Sequence, residues 1–181
     1  KSIDKALGCL DISLKQKLPF IHLVESSGIN LMNYTVEFRS NTGGMFYGLA
    51  KLSAAGVPTN AVLHGLSTAG GAYQPGMSDY VIGVKKNGMA ALAGPALLKA
   101  ATGEIAQNEE LGGSEMHSRV TGLVEYLADD DAHAIEIVRD LINKIDWNSK
   151  ILKRESIKFQ GPIYDCGEII GVVPIDYKVP Y

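Results

Sequence analysis

Residues 67–79 read STAGGAYQPGMSD and follow the short run NAVL at residues 60–63. Apolar residues that give way to a cluster of Ser, Thr, Gly and Pro mark a buried strand ending in a sharp turn. Consecutive glycines at such an exit allow close approach, because without a Cβ a ligand can reach the backbone N–H groups. A helix starting at Gly71 would aim the unpaired amides and the positive dipole end of its first turn at one point. Convergent amides make an oxyanion hole, and removing one donor costs about 3 kcal/mol of transition-state stabilisation. A glycine pair also fits a plain packing turn, and spacing alone leaves both readings open. The stretch matches neither the GxGxxG nor the GxxxxGK[ST] phosphate loop, and Ser67 does not sit in a GxSxG elbow.

Outward from the glycines the chain alternates between strand and helix patterns. Ile3, Leu7, Leu10 and Leu14 recur at helical spacing, so residues 2–17 read as a helix packed on one side and closed by Pro19. The run FIHLV at residues 20–24 reads as a strand buried on both faces, with Ser26, Ser27 and Gly28 as its exit. A second helix is expected within residues 36–55, interrupted by Gly43 and Gly44. Residues 80–84 and 89–93 read as two strands joined by the tight reversal KKNG. Pro95 opens a helix that Gly103 stops, residues 109–113 form a short helix and turn, and residues 124–127 read as a further strand. The spacing predicts a helix over residues 129–145, with Asp129, Asp130 and Asp131 at its amino end and Ile135, Val138, Leu141, Ile142 and Ile145 on one face. From residue 147 the texture becomes polar and basic and reads as a linker, so the domain reading is 1–146 followed by 147–181. Strands covered by helices make an α/β layer fold, which puts chemistry at the strand exits.

A hydrophobic content of 46% in 181 residues is enough for one well-buried domain. The net charge of -3 and the scattered basic residues give no footprint for nucleic acid. Cys9 and Cys166 form neither a CxxC pair nor a disulfide framework, which fits a reducing compartment. No apolar run approaches the length of a membrane span, so neither membrane nor nucleic acid is an expected partner. The chain starts without Met inside an amphipathic pattern, and residues upstream are expected.

The remaining titratable residues offer little chemistry. His22 reads as a core histidine, His64 beside the glycine loop as the better base, and His117 and His133 as structural. The three aspartates read as helix-dipole partners and not as a metal site. The glycine turn therefore supplies oxyanion donors without an obvious nucleophile.

The run STAGGAYQPGMSDYVIGVKKNGMAALAGPALLKAATGEIAQNEELGGSEMHSRVTGLVEYLADDDAHAI resembles the carboxyltransferase β subunits of biotin-dependent acyl-CoA carboxylases, above all the 3-methylcrotonyl-CoA and geranyl-CoA type. TAGGAY, LAGP.L.KAATGE and ELGG...H...G stand in the family's order, and looser similarity covers nearly the whole chain. The resemblance implies a crotonase-like α/β fold of repeated ββα units. It implies that Gly70 and Gly71 donate backbone hydrogen bonds to the thioester oxygen of an acyl-CoA, with Ala72 and Tyr73 shaping the surroundings and Ser27 and Gly28 lining the same cleft. It implies biotin as cofactor, carried on another chain or domain, and a biotin carboxylase and biotin carrier subunit as partners in a homo-oligomeric complex. The implied compartment is the cytoplasm, or the mitochondrial matrix in a eukaryote.

Glu25 to Ile29, ESSGI, departs from the family's DSGGA turn, and the segment after it lacks the usual acidic and aromatic pattern. The family's second domain, which completes the active site, is expected beyond residue 181. Two alternatives remain from the residues: a crotonase-type acyl-CoA hydratase or isomerase, for which Asp79 is the acid beside the loop, and a non-catalytic paralogue that binds a carboxylase.

Overall fold

The computed structural model describes residues 2–26, 35–150 and 160–176. By contacts the chain forms two units, Lys1–Ile151 and Leu152–Tyr181. In the first, helices α1 (Ser2–Gln16) and α2 (Val36–Ala54) flank strand β1 (Phe20–Ser26) in sequence. Strand β2 (Thr59–Thr68) runs into a 3₁₀ turn (Ala69–Ala72) and the short helix α3 (Tyr73–Gly76). There follow β3 (Tyr80–Val84), β4 (Met89–Ala91), α4 (Pro95–Thr102), α5 (Asn108–Gly112), α6 (Ser114–Met116) and a π-helical turn (His117–Thr121). Strand β5 (Tyr126–Ala128), α7 (Asp131–Ile145) and α8 (Trp147–Lys150) complete it.

The strands form one parallel sheet in the order β1-β2-β3-β5, with β4 also on β2. Alternation along the strands sorts the core into two faces. On one, Val62, Ile82, Val84 and Ala128 pack against Ala134, Val138 and Leu141 of α7. On the other, Val24, Ala61, Leu63 and Val81 pack with Ala90 and Val124, and Ala72 of the glycine turn rests on this layer. Leu10, Phe20, Leu49, Leu52 and Val57 tie α1 and α2 into a neighbouring cluster, where the Trp147 indole N–H donates to Lys17 O at 2.7 Å.

Several expectations need correction. Helix α2 runs unbroken through Gly43 and Gly44. A Cβ on Gly44 would stand 3.1 Å from Leu7 Cδ2 and one on Gly48 2.6 Å from Leu10 Cδ1, so glycines four residues apart let α1 approach. Strand β1 is an edge strand with one open face among the described residues, where Ile21 and Leu23 are exposed. The runs at residues 80–84 and 89–93 are not paired as a hairpin. Both lie parallel to β2, β3 along Asn60 to Leu63 and β4 along Leu66 to Thr68. The KKNG segment thus carries the chain along one edge of a ten-residue strand instead of reversing it.

Other boundaries shift by a residue or two. The strand expected at residues 124–127 is Tyr126–Ala128, and α7 begins at Asp131 because Asp130 is its cap, accepting from His133 N at 2.8 Å. Pro95 and Gly103 behave as expected, the latter with φ 79° in the left-handed region. In the second unit a 3₁₀ turn (Cys166–Glu168) leads into α9 (Ile169–Val172). Among the described residues no helix is long and apolar enough to cross a membrane.

Candidate active site

Strand β2 delivers the glycine turn. Its last residue, Thr68, is extended at φ -116° and ψ 159°, and Ala69 then enters the left-handed region at φ 53°. A non-glycine residue there costs about 1–2 kcal/mol, strain that gathers where a turn is held for function. The 3₁₀ turn spans Ala69–Ala72, so it starts two residues ahead of Gly71. Because 3₁₀ bonds span three residues, the first runs from Gly71 N to Thr68 O, which leaves the Ala69 and Gly70 amides without an acceptor inside the turn.

The two glycines differ in their surroundings. Gly71 is buried, and a Cβ there would lie 2.8 Å from Ser26 Cβ and 2.9 Å from Ser67 Oγ. It is the residue that lets the turn sit down on β1 and β2. Gly70 is exposed, and a Cβ on it would meet Phe46 Cζ at 3.7 Å. Phe46 of α2 also packs on Tyr73, with ring centroids 5.6 Å apart. Phe46 was missed by sequence reasoning, since nothing local in α2 announces a neighbour twenty-odd residues away. Behind the turn, His22 Nε2 lies 2.9 Å from Ser78 Oγ and Nδ1 3.3 Å from Gln74 Oε1, and burial pushes its pKa down to about 4. His22 is the core histidine expected.

In front of the turn opens a cleft of about 630 Å³, lined by Ala72, Tyr73, Met77, Ala90, Leu98 and His117 among others. The lining is mainly apolar and includes no carboxylate among the described residues. His117 was read as merely structural, yet its ring forms part of this wall, with Nε2 2.7 Å from Ala90 O and Nδ1 2.8 Å from Thr121 Oγ1. Its four-residue spacing from Thr121 was the available signal.

The other candidates lie elsewhere. His64 points to the α7 face of β2, opposite the face on which Ala72 rests, and its Nδ1 is 3.8 Å from Asp131 Oδ1. Asp79 is committed to the start of β2, where its Oδ2 accepts from Thr59 N at 2.8 Å and Thr59 Oγ1 at 3.0 Å. Lys85 pairs with Asp129 at 2.6 Å and holds its carboxyl below the usual range, while Asp130 caps α7. Ser27 and Gly28 lie outside the described residues. The structure therefore places Ala72 and Tyr73 in the wall of the cleft, with Gly70 and Gly71 just before them in the turn.

A family model described as the carboxyl transferase domain matches residues 2–181. A probable biotin-dependent acyl-coenzyme A carboxylase beta2 subunit of Mycobacterium tuberculosis is 43% identical over 180 residues, covering 99% of this chain and 34% of that protein. The mitochondrial methylcrotonoyl-CoA carboxylase beta chain of Dictyostelium discoideum is 40% identical, with 98% of this chain and 30% of that protein covered. Among solved structures, the beta subunit of geranyl-CoA carboxylase from P. aeruginosa superposes with a TM-score of 0.74 at 44% identity, covering 99% of this chain and 33% of that one. The mixed α/β architecture with a parallel sheet is that of these crotonase-like carboxyltransferase domains. The chain spans about a third of the length of the curated relatives it matches.

Proposed function

The chain belongs to the carboxyl transferase domain family, and on that footing we propose that it forms the acyl-CoA-binding part of a biotin-dependent acyl-CoA carboxylase. The carrying observation is the strained turn at the end of β2, whose Gly70 amide has no acceptor inside the turn and whose next residues, Ala72 and Tyr73, line an apolar cleft. The thioester oxygen of an acyl-CoA is assigned to the open Gly70 amide, with Gly71, whose own N–H is taken up inside the turn, seating that turn, and with Ala72, Tyr73, Ser27 and Gly28 assigned to the surrounding cleft. When the α proton leaves, its electron pair moves onto the thioester oxygen, and the backbone amides hold that negative charge. The enolate carbon then forms the new bond to the carboxyl carbon.

Bound at the cleft, carboxybiotin would supply the carboxyl carbon as CO2 by breaking its N–C bond, and the ureido nitrogen so freed would take the α proton. The cleft is compatible with such a division, because among the described residues its wall is mainly apolar and carries no carboxylate to act as base. The partners that follow are a biotin carboxylase and a biotin carrier, within a homo-oligomeric complex in the cytoplasm or the mitochondrial matrix. A hydratase or isomerase needs an acid at the turn, and Asp79 is engaged with Thr59 instead. The intact subunit, supplied with its biotin partner and ATP, should carboxylate an acyl-CoA. Hydration of an enoyl-CoA without carboxyl transfer would overturn the proposal.

A further inference from the structure

We propose that His117 is a positioning residue for the glycine turn, acting through strand β4; its effect on turnover rests on the carboxyltransferase reading, its geometry does not. Strand β4 has only three residues, and its inner edge sets the end of β2 through the pairs Leu66↔Met89, Ser67↔Ala90 and Thr68↔Ala91. Thr68 is the residue from which the 3₁₀ turn departs. So short a strand needs its outer edge held as well.

That edge is held at two points. Met89 bridges to Gly113, and Ala90 O accepts a hydrogen bond from His117 Nε2 at 2.7 Å. A carbonyl oxygen only accepts, so Nε2 carries a hydrogen, and Nδ1 lies 2.8 Å from Thr121 Oγ1, whose hydroxyl also reaches His117 O at 3.1 Å. The ring is thereby fixed at both nitrogens. The approach is made possible by Gly112, where a Cβ would stand 2.4 Å from Ala90 O. Ala90 is 4% exposed, so its carbonyl has little access to a substitute donor from solvent.

The segment that presents His117 is unusual in itself. Residues His117–Thr121 are π-helical, a wide turn found mostly at functional positions, and Gly122 at φ 74° ends it. The turn places the ring in the wall of the cleft with Ala72 and Tyr73, while its bond runs to the backbone that fixes Thr68. Loss of the bond frees β4 and allows the amides after Thr68 to drift from the thioester oxygen. Displacements of about 1 Å in such a site cost on the order of a hundredfold in rate.

The test uses the full-length subunit with its biotin partner and three variants, His117→Gln, His117→Asn and His117→Ala. Gln can set a donor where Nε2 stood, whereas Asn and Ala cannot. With Gln, kcat should stay within about threefold of wild type; with Asn and Ala it should fall about tenfold or more while KM for acyl-CoA holds within about threefold. Backbone hydrogen exchange over residues 66–73 and 89–92 should quicken with Asn and Ala and not with Gln. Exchange at wild-type rates in all three variants overturns the clamp whatever the activity. Faster exchange with unchanged kcat overturns the positioning role. A wild-type subunit that transfers no carboxyl group counts against the carboxyltransferase reading alone, and the exchange series still decides the clamp.

Discussion

A methyl group on Gly71 presses on Ser26 and Ser67 at the base of the turn, whereas one on Gly70 makes ordinary contact with Phe46. Gly71→Ala should therefore cost about 1–3 kcal/mol of stability through overpacking, and Gly70→Ala about 0.5 kcal/mol or less, as read from urea unfolding midpoints. Equal losses would show that the turn is seated differently. The repeated glycines were legible as a sharp turn; that one seats the turn and the other stands exposed was not, because the distinction depends on Ser26, a partner from another strand. Acid provides a second test at this scale. The folded pKa of His22, about 4, lies below its ordinary 6.5, so the unfolded chain binds more protons between these values. The neutral histidine's contribution is complete above pH 6.5 and is lost as pH falls toward 4, on the order of 3 kcal/mol in full. His22→Gln should flatten the pH dependence of the melting temperature across that window; an unchanged slope would assign the acid sensitivity to other groups.

Helix α7 shows how far an element can be read from its own residues. Its apolar stripe and acidic start appear in the sequence, and the structure adds only that Asp130 is the cap. Asp130→Ala should cost about 1 kcal/mol in thermal unfolding, and no loss would mean that the remaining aspartates support the amino end by themselves. Helix α4, bracketed by Pro95 and Gly103, was equally legible. The β3 and β4 pair was not. Local turn chemistry at KKNG favours a reversal, but each strand gains more by pairing with a different stretch of β2, and Gly88 permits the crossing because a Cβ there would overlap Leu63 O. Gly44 misled for the same reason, since its value, like that of Gly48, lies in contact with α1 and not in the propensity of α2.

Across the whole molecule, the motifs carried the family and the α/β fold, while the cleft needed long-range contacts to appear. Its walls come from residues 72, 73, 76, 77, 90–93, 98, 111, 117 and 123, which share no local pattern. Large apolar side chains stand exposed around the same region, with Leu92 at 70% and Val120 at 77%. Residues 1–181 expressed alone should give no carboxyl transfer, since the relatives are about three times as long; turnover by this piece would refute a site shared with further chain. The most direct test concerns Gly70→Pro in the full-length subunit. Proline deletes the amide hydrogen but also restricts the left-handed Ala69 before it, so the variant's unfolding midpoint is measured alongside to show that it folds. With carboxybiotin and acyl-CoA supplied, kcat should fall about a hundredfold or more while acyl-CoA still binds. Undiminished turnover would show that the amide holds no charge in the reaction.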